Sequence, residues 1–130
     1  MDQELLLKAS MLEKQINELG GNLEIVNQQL SELIQFQESI KSFQESNSKE
    51  MFSTIGKGVH LKTLLVEKEF LVEVGAKVLV KKTPEETIKV IEEQINRLNE
   101  LKYSLSSQLD NHMFALNDLI KKIEKSQNKG

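Results

Sequence analysis

The chain has 130 residues, with 17 Lys+Arg against 20 Asp+Glu and a formal charge of −3, a length that supports one domain rather than two. It contains no Cys, which excludes a disulfide framework, a thiolate nucleophile and Cys-ligated zinc, and its two His stand 52 residues apart, which argues against an all-His metal site. One Tyr, five Phe and no Trp give little aromatic area for a round core, and 38% hydrophobic against 28% charged residues points to long exposed helices.

Residues 1–48 read as a helix. Leu5, Leu12, Leu19, Val26, Leu33 and Ile40 recur every seven residues, and Ala9, Ile16, Leu23, Leu30 and Gln37 form a second ladder offset by four. Together they make the a/d seam of a left-handed coiled coil over about five heptads. Gly20-Gly21 falls off that seam. Each Gly costs a helix interior about 1 kcal/mol relative to Ala, so the pair reads as a soft point or bend. Ser46-Asn47-Ser48 ends the segment with turn-forming residues.

Residues 49–82 change period. Four β-rich runs, at 51–55, 59–66, 70–74 and 77–81, are joined by Gly56-Lys57-Gly58, Glu67-Lys68-Glu69 and Gly75-Ala76. Glycine at the first and last joins suits tight hairpins, so the region reads as two consecutive β-hairpins. Four such strands are marginal alone and leave edges open. Apolar Val59, Leu61, Leu65, Val72, Val74, Val78 and Val80 are more than one chain can bury here, which makes them the candidate oligomer interface.

The third segment, residues 83–126, opens on a helix start: Thr83 at the N-cap, Pro84 at N1 and Glu86 at N3, the capping-box arrangement. Ile88, Ile95, Lys102, Leu109, Leu116 and Ile123, with Ile91, Leu98, Leu105, His112 and Leu119, repeat the seam of the first helix. Residues 127–130 read as a frayed polar tail. Two helices of about 60 Å each, both needing a partner, pair most simply with each other in antiparallel fashion, hairpins at the closed end. The expected fold class is therefore α+β: a single domain over 1–130 in which two long helices form an antiparallel coiled coil linked by two hairpins.

Charge follows the same division: residues 1–48 carry −5, residues 49–82 carry +3 and residues 83–130 carry −1. The basic middle is too mild for a nucleic-acid footprint, and with Arg97 as the single Arg, bidentate reading of phosphate or guanine is poorly supplied. No apolar run approaches the ~18–20 residues that span a bilayer. Residues 1–10 carry Asp2 and Glu4 around a three-residue apolar block, which is not a signal peptide. With no Cys, these features point to a cytoplasmic protein without membrane or nucleic-acid partners.

Catalytic constellations are lacking in the sequence: no Gly-rich phosphate loop, no Ser-centred elbow, no His-x-x-x-His and no paired carboxylates in a recognisable setting. Gly56-Lys57-Gly58 reads as a hairpin turn, His60 as a strand residue, and His112 and Lys102 as polar register-setters in the seam. The expectation is a non-enzyme with no catalytic residues, no metal and no cofactor. Near the free helix ends, however, apolar residues exceed the seam's needs: Leu6, Leu7 and Met11 on one helix, Met113, Phe114 and Ile120 on the other. A wider seam or a third packing helix explains this blandly. The functional reading is an adaptable apolar patch that grips other chains, with Leu5, Leu6, Leu7, Met11, Phe114 and Ile120 as candidate contacts.

The order helix, two hairpins, helix over nearly the whole chain resembles the prefoldin alpha class of subunits. The resemblance is carried most specifically by Phe52 to Glu86, FSTIGKGVHLKTLLVEKEFLVEVGAKVLVKKTPEE. There, Gly56 to Lys62 looks like the family's Gly-turn and apolar strand, Phe70 to Ala76 like its strand-turn, and Lys81 to Glu86 like its charged lead-in to the second helix. The second hairpin argues for the alpha rather than the beta class, and the short chain resembles archaeal members. Ala76-Lys77 stands where a second Gly is usual, which implies a slightly different turn.

The resemblance implies an ATP-independent co-chaperone subunit. Two alpha-type and four beta-type subunits would assemble through their hairpins into a double β-barrel carrying six coiled coils. The tips would capture unfolded proteins and deliver them to a group II chaperonin. Avidity supports such a design, since several weak contacts to one client multiply once the first is made. Two alternatives stand beside it: a structural prefoldin-like subunit that polymerises into filaments, and a coiled-coil adaptor for one specific partner.

Overall fold

The structure is a computed structural model that describes residues 3–128. Its elements run α1 (Gln3–Glu45), β1 (Glu50–Gly56), β2 (Val59–Leu64), β3 (Phe70–Gly75), β4 (Val78–Lys82) and α2 (Pro84–Asn128). All six predicted elements are present. The first helix stops at Glu45, three residues before the expected end, and α2 runs to Asn128, two residues past it. Of the expected tail, Gln127 and Asn128 are helical, and residues 129–130 lie outside the described residues.

The chain divides into two compact units, residues 1–32 with 96–130, and residues 33–95. In the first, the two helices are packed along the predicted seam. Every seam position of α1 from Leu5 to Leu30 is half-buried or buried, with Val26 and Leu30 only 5% and 6% exposed. On α2, Leu98, Leu105, Leu109, His112, Leu116, Leu119 and Ile123 are half-buried, and Lys102 alone among the seam positions is exposed. α1 continues as helix through Gly20-Gly21.

The second unit holds the hairpins and the helical turns beside them. Ile40 and Ile91 are its buried apolar residues, accompanied by buried Gln37 and Thr87. α2 begins on its capping box: the Thr83 hydroxyl accepts the Glu86 N–H at 3.1 Å, while the Glu86 carboxylate accepts the Thr83 N–H at 3.4 Å. Thr87 donates its hydroxyl to the Thr83 carbonyl at 2.9 Å.

The end of α1 has no basic residue in its last turn, and the charge is brought from elsewhere. Lys68, in the link between the hairpins, donates its ammonium to the Gln44 carbonyl at 3.0 Å and to the Ser46 carbonyl. These carbonyls have no helical partners, and a cation there also answers the negative end of the helix dipole. The same ammonium stands 5.9 Å over the Phe43 ring, which packs against Phe70 at 5.2 Å between centroids. Thus the end of the first helix and the start of the second hairpin are held to each other.

β1 pairs with β2 and β3 with β4, antiparallel, as two separate two-stranded sheets. Both hairpins use one backbone plan. In the first, the register slips between Thr54 and Gly56, leaving Ile55 as a bulge, and the turn residues Lys57 and Gly58 have φ of 50° and 79°. In the second, the slip falls between Glu73 and Gly75, leaving Val74 as the bulge, and Ala76 and Lys77 have φ of 47° and 63°. Positive φ at both central residues is the requirement of a type I′ turn, whose twist matches that of the strands. The expected difference at Ala76-Lys77 is therefore corrected: the turn has the same form, without the glycine that makes it easy. β2 also ends at Leu64 rather than running to 66, because Leu65 turns inward, its N–H donating to the Lys49 carbonyl at 2.7 Å.

Candidate interaction surfaces

Many of the molecule's apolar residues outside the seam lie in two places. One is the hairpin unit, where the two faces of each hairpin can be read from the register. On one face of the first hairpin stand Met51, Ser53, Leu61 and Thr63, with Ser53 and Thr63 hydroxyls 3.1 Å apart. On the other stand Phe52, Leu64 and His60, the latter with Nδ1 3.1 Å from the Thr54 hydroxyl, and Lys62 pairs with Glu50 at 3.3 Å. In the second hairpin Val72 lies opposite Val80, and Phe70 opposite Lys82.

Of the predicted interface residues, Val59, Leu61, Val74, Val78 and Val80 are exposed, at 38–57%. Val72 and Leu65 are half-buried and face the protein instead. They line an open apolar groove of about 670 Å³, with Phe36, Ile40 and Phe43 from α1, Val90 and Ile91 from α2, and Met51 and Phe70 from the strands. Sequence periodicity missed the opposite strand face. Phe52, Leu64, Leu71 and Leu79 are 56–71% exposed, so both faces of both hairpins present apolar side chains. Each hairpin also keeps a free edge on each of its strands, a row of unpaired backbone groups ready for another chain.

The second place is the outer part of the helix pair. Leu5 is half-buried in the seam. Leu6 and Ile120, just beside the seam, are each 40% exposed, and Met113, one heptad from Ile120 on the same face, is 48% exposed. Leu7, Met11 and Phe114 point outward, at 63%, 56% and 77%. Leu7 and Met11 are four residues apart and share one face of α1. These residues do not form a single stripe: Leu7 with Met11, Met113 with Ile120, and Phe114 by itself are separate faces of the two helices. Exposed Ile25, Ile34, Leu101 and Tyr103 show that surplus apolar side chains extend beyond the ends, and heptad counting, which tracks only the seam, gave no weight to them.

Among the described residues no group of three or more His, Asp or Glu side chains is placed to hold a metal ion. Among the described residues no helix is long and apolar enough to cross a membrane. What the surfaces can do is bind polypeptide, the hairpins through strand edges and apolar faces, the helices through scattered Leu, Met and Phe.

Two long helices joined by two separate hairpins, each with free outer strand edges, define the class of subunit. Residues 12–129 match the family model described as Prefoldin subunit, and the chain belongs to the prefoldin family, a family of non-enzymatic chaperone subunits that assemble with one another. It is 29% identical over 98 residues to a protein named Prefoldin subunit alpha from Picrophilus torridus, covering 75% of this chain and 70% of that one. It is 27% identical over 90 residues to a Prefoldin subunit alpha from Methanosphaera stadtmanae, covering 69% of this chain and 65% of that protein. The fold is similar to a cryo-EM structure of filamentous PFD from Methanocaldococcus jannaschii, with a TM-score of 0.73 at 19% identity over 88% of this chain and 96% of that one.

Proposed function

We propose that this chain is an alpha-type prefoldin subunit that joins beta-type subunits through its hairpins, two alpha with four beta, and works in the cytoplasm. Its coiled-coil ends capture unfolded proteins without nucleotide and deliver them to a group II chaperonin. The observation that carries client capture is the exposure of Leu7, Met11 and Phe114 at outward heptad positions, where a helix pair has no packing use for them. Met and Leu re-pack against irregular surfaces, which suits clients of no fixed shape. The hairpins' exposed valines and free edges support assembly.

The test is the combined variant Leu7→Ser, Met11→Ser, Phe114→Ser. All three side chains are exposed, so helical content and assembly with a beta-type partner should be unchanged. Suppression of aggregation of several unrelated denatured proteins should fall to background. Full suppression by the variant refutes the assignment of these residues, and capture of one client alone favours an adaptor.

A second reading, homopolymerisation into filaments, draws on the likeness to the filamentous PFD structure and on the free strand edges of both hairpins. Electron microscopy of the pure protein separates it from a closed particle: filaments without a beta-type partner establish it, and discrete particles or subunits dismiss it.

A further inference from the structure

We propose that Gly20-Gly21 of α1 and His112 of α2 form a built-in joint in the helix pair, at which the coiled coil opens locally while the helix on either side stays intact. Glycine in a helix interior ordinarily has one of two reasons: a positive φ, or a neighbour too close for a side chain. Neither applies here. Gly20 and Gly21 are helical and absent from the residues with positive φ. A Cβ at either would meet no heavy atom of another segment within 4 Å. The pair therefore weakens α1 with no packing return at that level.

The facing helix is weak at the same level. His112 occupies a seam position but makes its hydrogen bond along its own helix, Nδ1–H donating to the Gln108 carbonyl at 2.7 Å. Beside it the two helices form an open surface groove lined by exposed Gln15, Glu18, Asn22 and Gln108 and by half-buried Leu19 and His112. At this level Leu19 is the one apolar side chain lining the groove and is half-buried, while Val26 and Leu30, one and two turns beyond Asn22, are buried. Low helix propensity on one helix thus coincides with a polar side chain in the seam of the other, which lowers the free energy of local opening there relative to its neighbours. The use of the joint, letting the outer segments adjust separately to clients of different size, rests on the client-capture reading above. The joint itself does not.

Amide hydrogen exchange on the intact protein tests it without any client. Protection factors for residues 19–25 should be at least tenfold below those of residues 26–40. Gly20→Ala and Gly21→Ala should each raise protection of 19–25 by about fivefold, as their helix propensities require, whereas Gln28→Ala, at an exposed position of the same helix, should leave it unchanged. His112→Leu, which refills the seam from the other helix, should raise protection of the same α1 residues. Uniform protection from 12 to 40 overturns the proposal. So does a rise with the alanines but not with His112→Leu, which would make the effect a property of one helix and not of the pair.

Discussion

The helix pair and the hairpins treat apolar residues in opposite ways. In the helices, nearly every Leu, Ile and Val on the seven-residue ladders is hidden or half-hidden by the same chain, down to 4% exposure at Ile91. In the hairpins, Phe52, Leu64 and Leu71, in regular strand, and Ile55 and Val74, at the bulges, are all more than half exposed. A two-stranded ribbon has two faces and two edges and cannot bury both faces alone. The difference separates apolar residues that stabilise one chain from those left for the proposed assembly. Seam residues contribute to the folded subunit, and the exposed hairpin residues can gain burial only against another chain.

That separation yields the largest expected effects. Ile91→Ala removes a buried side chain from the floor of the hairpin unit and should lower the stability of the lone chain by about 3 kcal/mol, read from urea unfolding. Val80→Asp, at a residue 38% exposed and opposite Val72, should lower that stability by only about 1 kcal/mol, the span of strand propensity. Its effect should fall on assembly, where it would bury an unpaired charge, so that sizing with light scattering shows no complex with a beta-type partner. A Val80→Asp chain that still assembles, or that unfolds like Ile91→Ala, erases the distinction between the two regions.

The legibility of the molecule follows the same line. Seam, capping box and hairpins were open to reading because each rests on local spacing: seven residues for Leu5 to Ile40, three for Thr83 and Glu86, two for the strands. Helix ends were off by two or three residues, since α1 ends where Lys68 meets its last carbonyls. That contact joins residues 24 and 22 apart in sequence, and Glu67-Lys68-Glu69 reads from sequence as an ordinary charged loop. Val72 also escaped, because alternation assigns a strand residue to a face without saying which face the protein covers, and Leu65 escaped because β2 ends just before it. The outward Leu7, Met11 and Phe114 were visible as surplus. Met113's place beside Ile120, and the exposed Ile25 and Tyr103, needed the helix surface itself.

The Lys68 contact offers a sharper test of how the hairpin region is tied to the helices. Lys68→Met keeps the aliphatic stem and deletes the charge, so the loss reports the two carbonyl contacts and the ring contact with Phe43. The group is exposed and screened, and the expected cost is about 1 kcal/mol of chain stability. Lys89→Met, on the exposed side of α2, should cost less than about 0.5 kcal/mol. Equal effects at the two lysines would mean that α1 ends without help from the link.

The smallest effect compares the hairpins with each other. Their turns share a backbone, yet one places Lys57-Gly58 and the other Ala76-Lys77 in left-handed φ. A residue with a Cβ holds that conformation at a cost of about 1–2 kcal/mol, and glycine does not. Lys77→Gly should therefore raise stability by about 0.5–1 kcal/mol once the extra freedom of the unfolded glycine is discounted, and Gly58→Ala should lower it by about 1 kcal/mol. Opposite signs at these matched positions are the outcome that the shared turn requires. A destabilising Lys77→Gly would show that the second turn leaves left-handed φ in solution, and with it that Val74 is not held as the counterpart of Ile55.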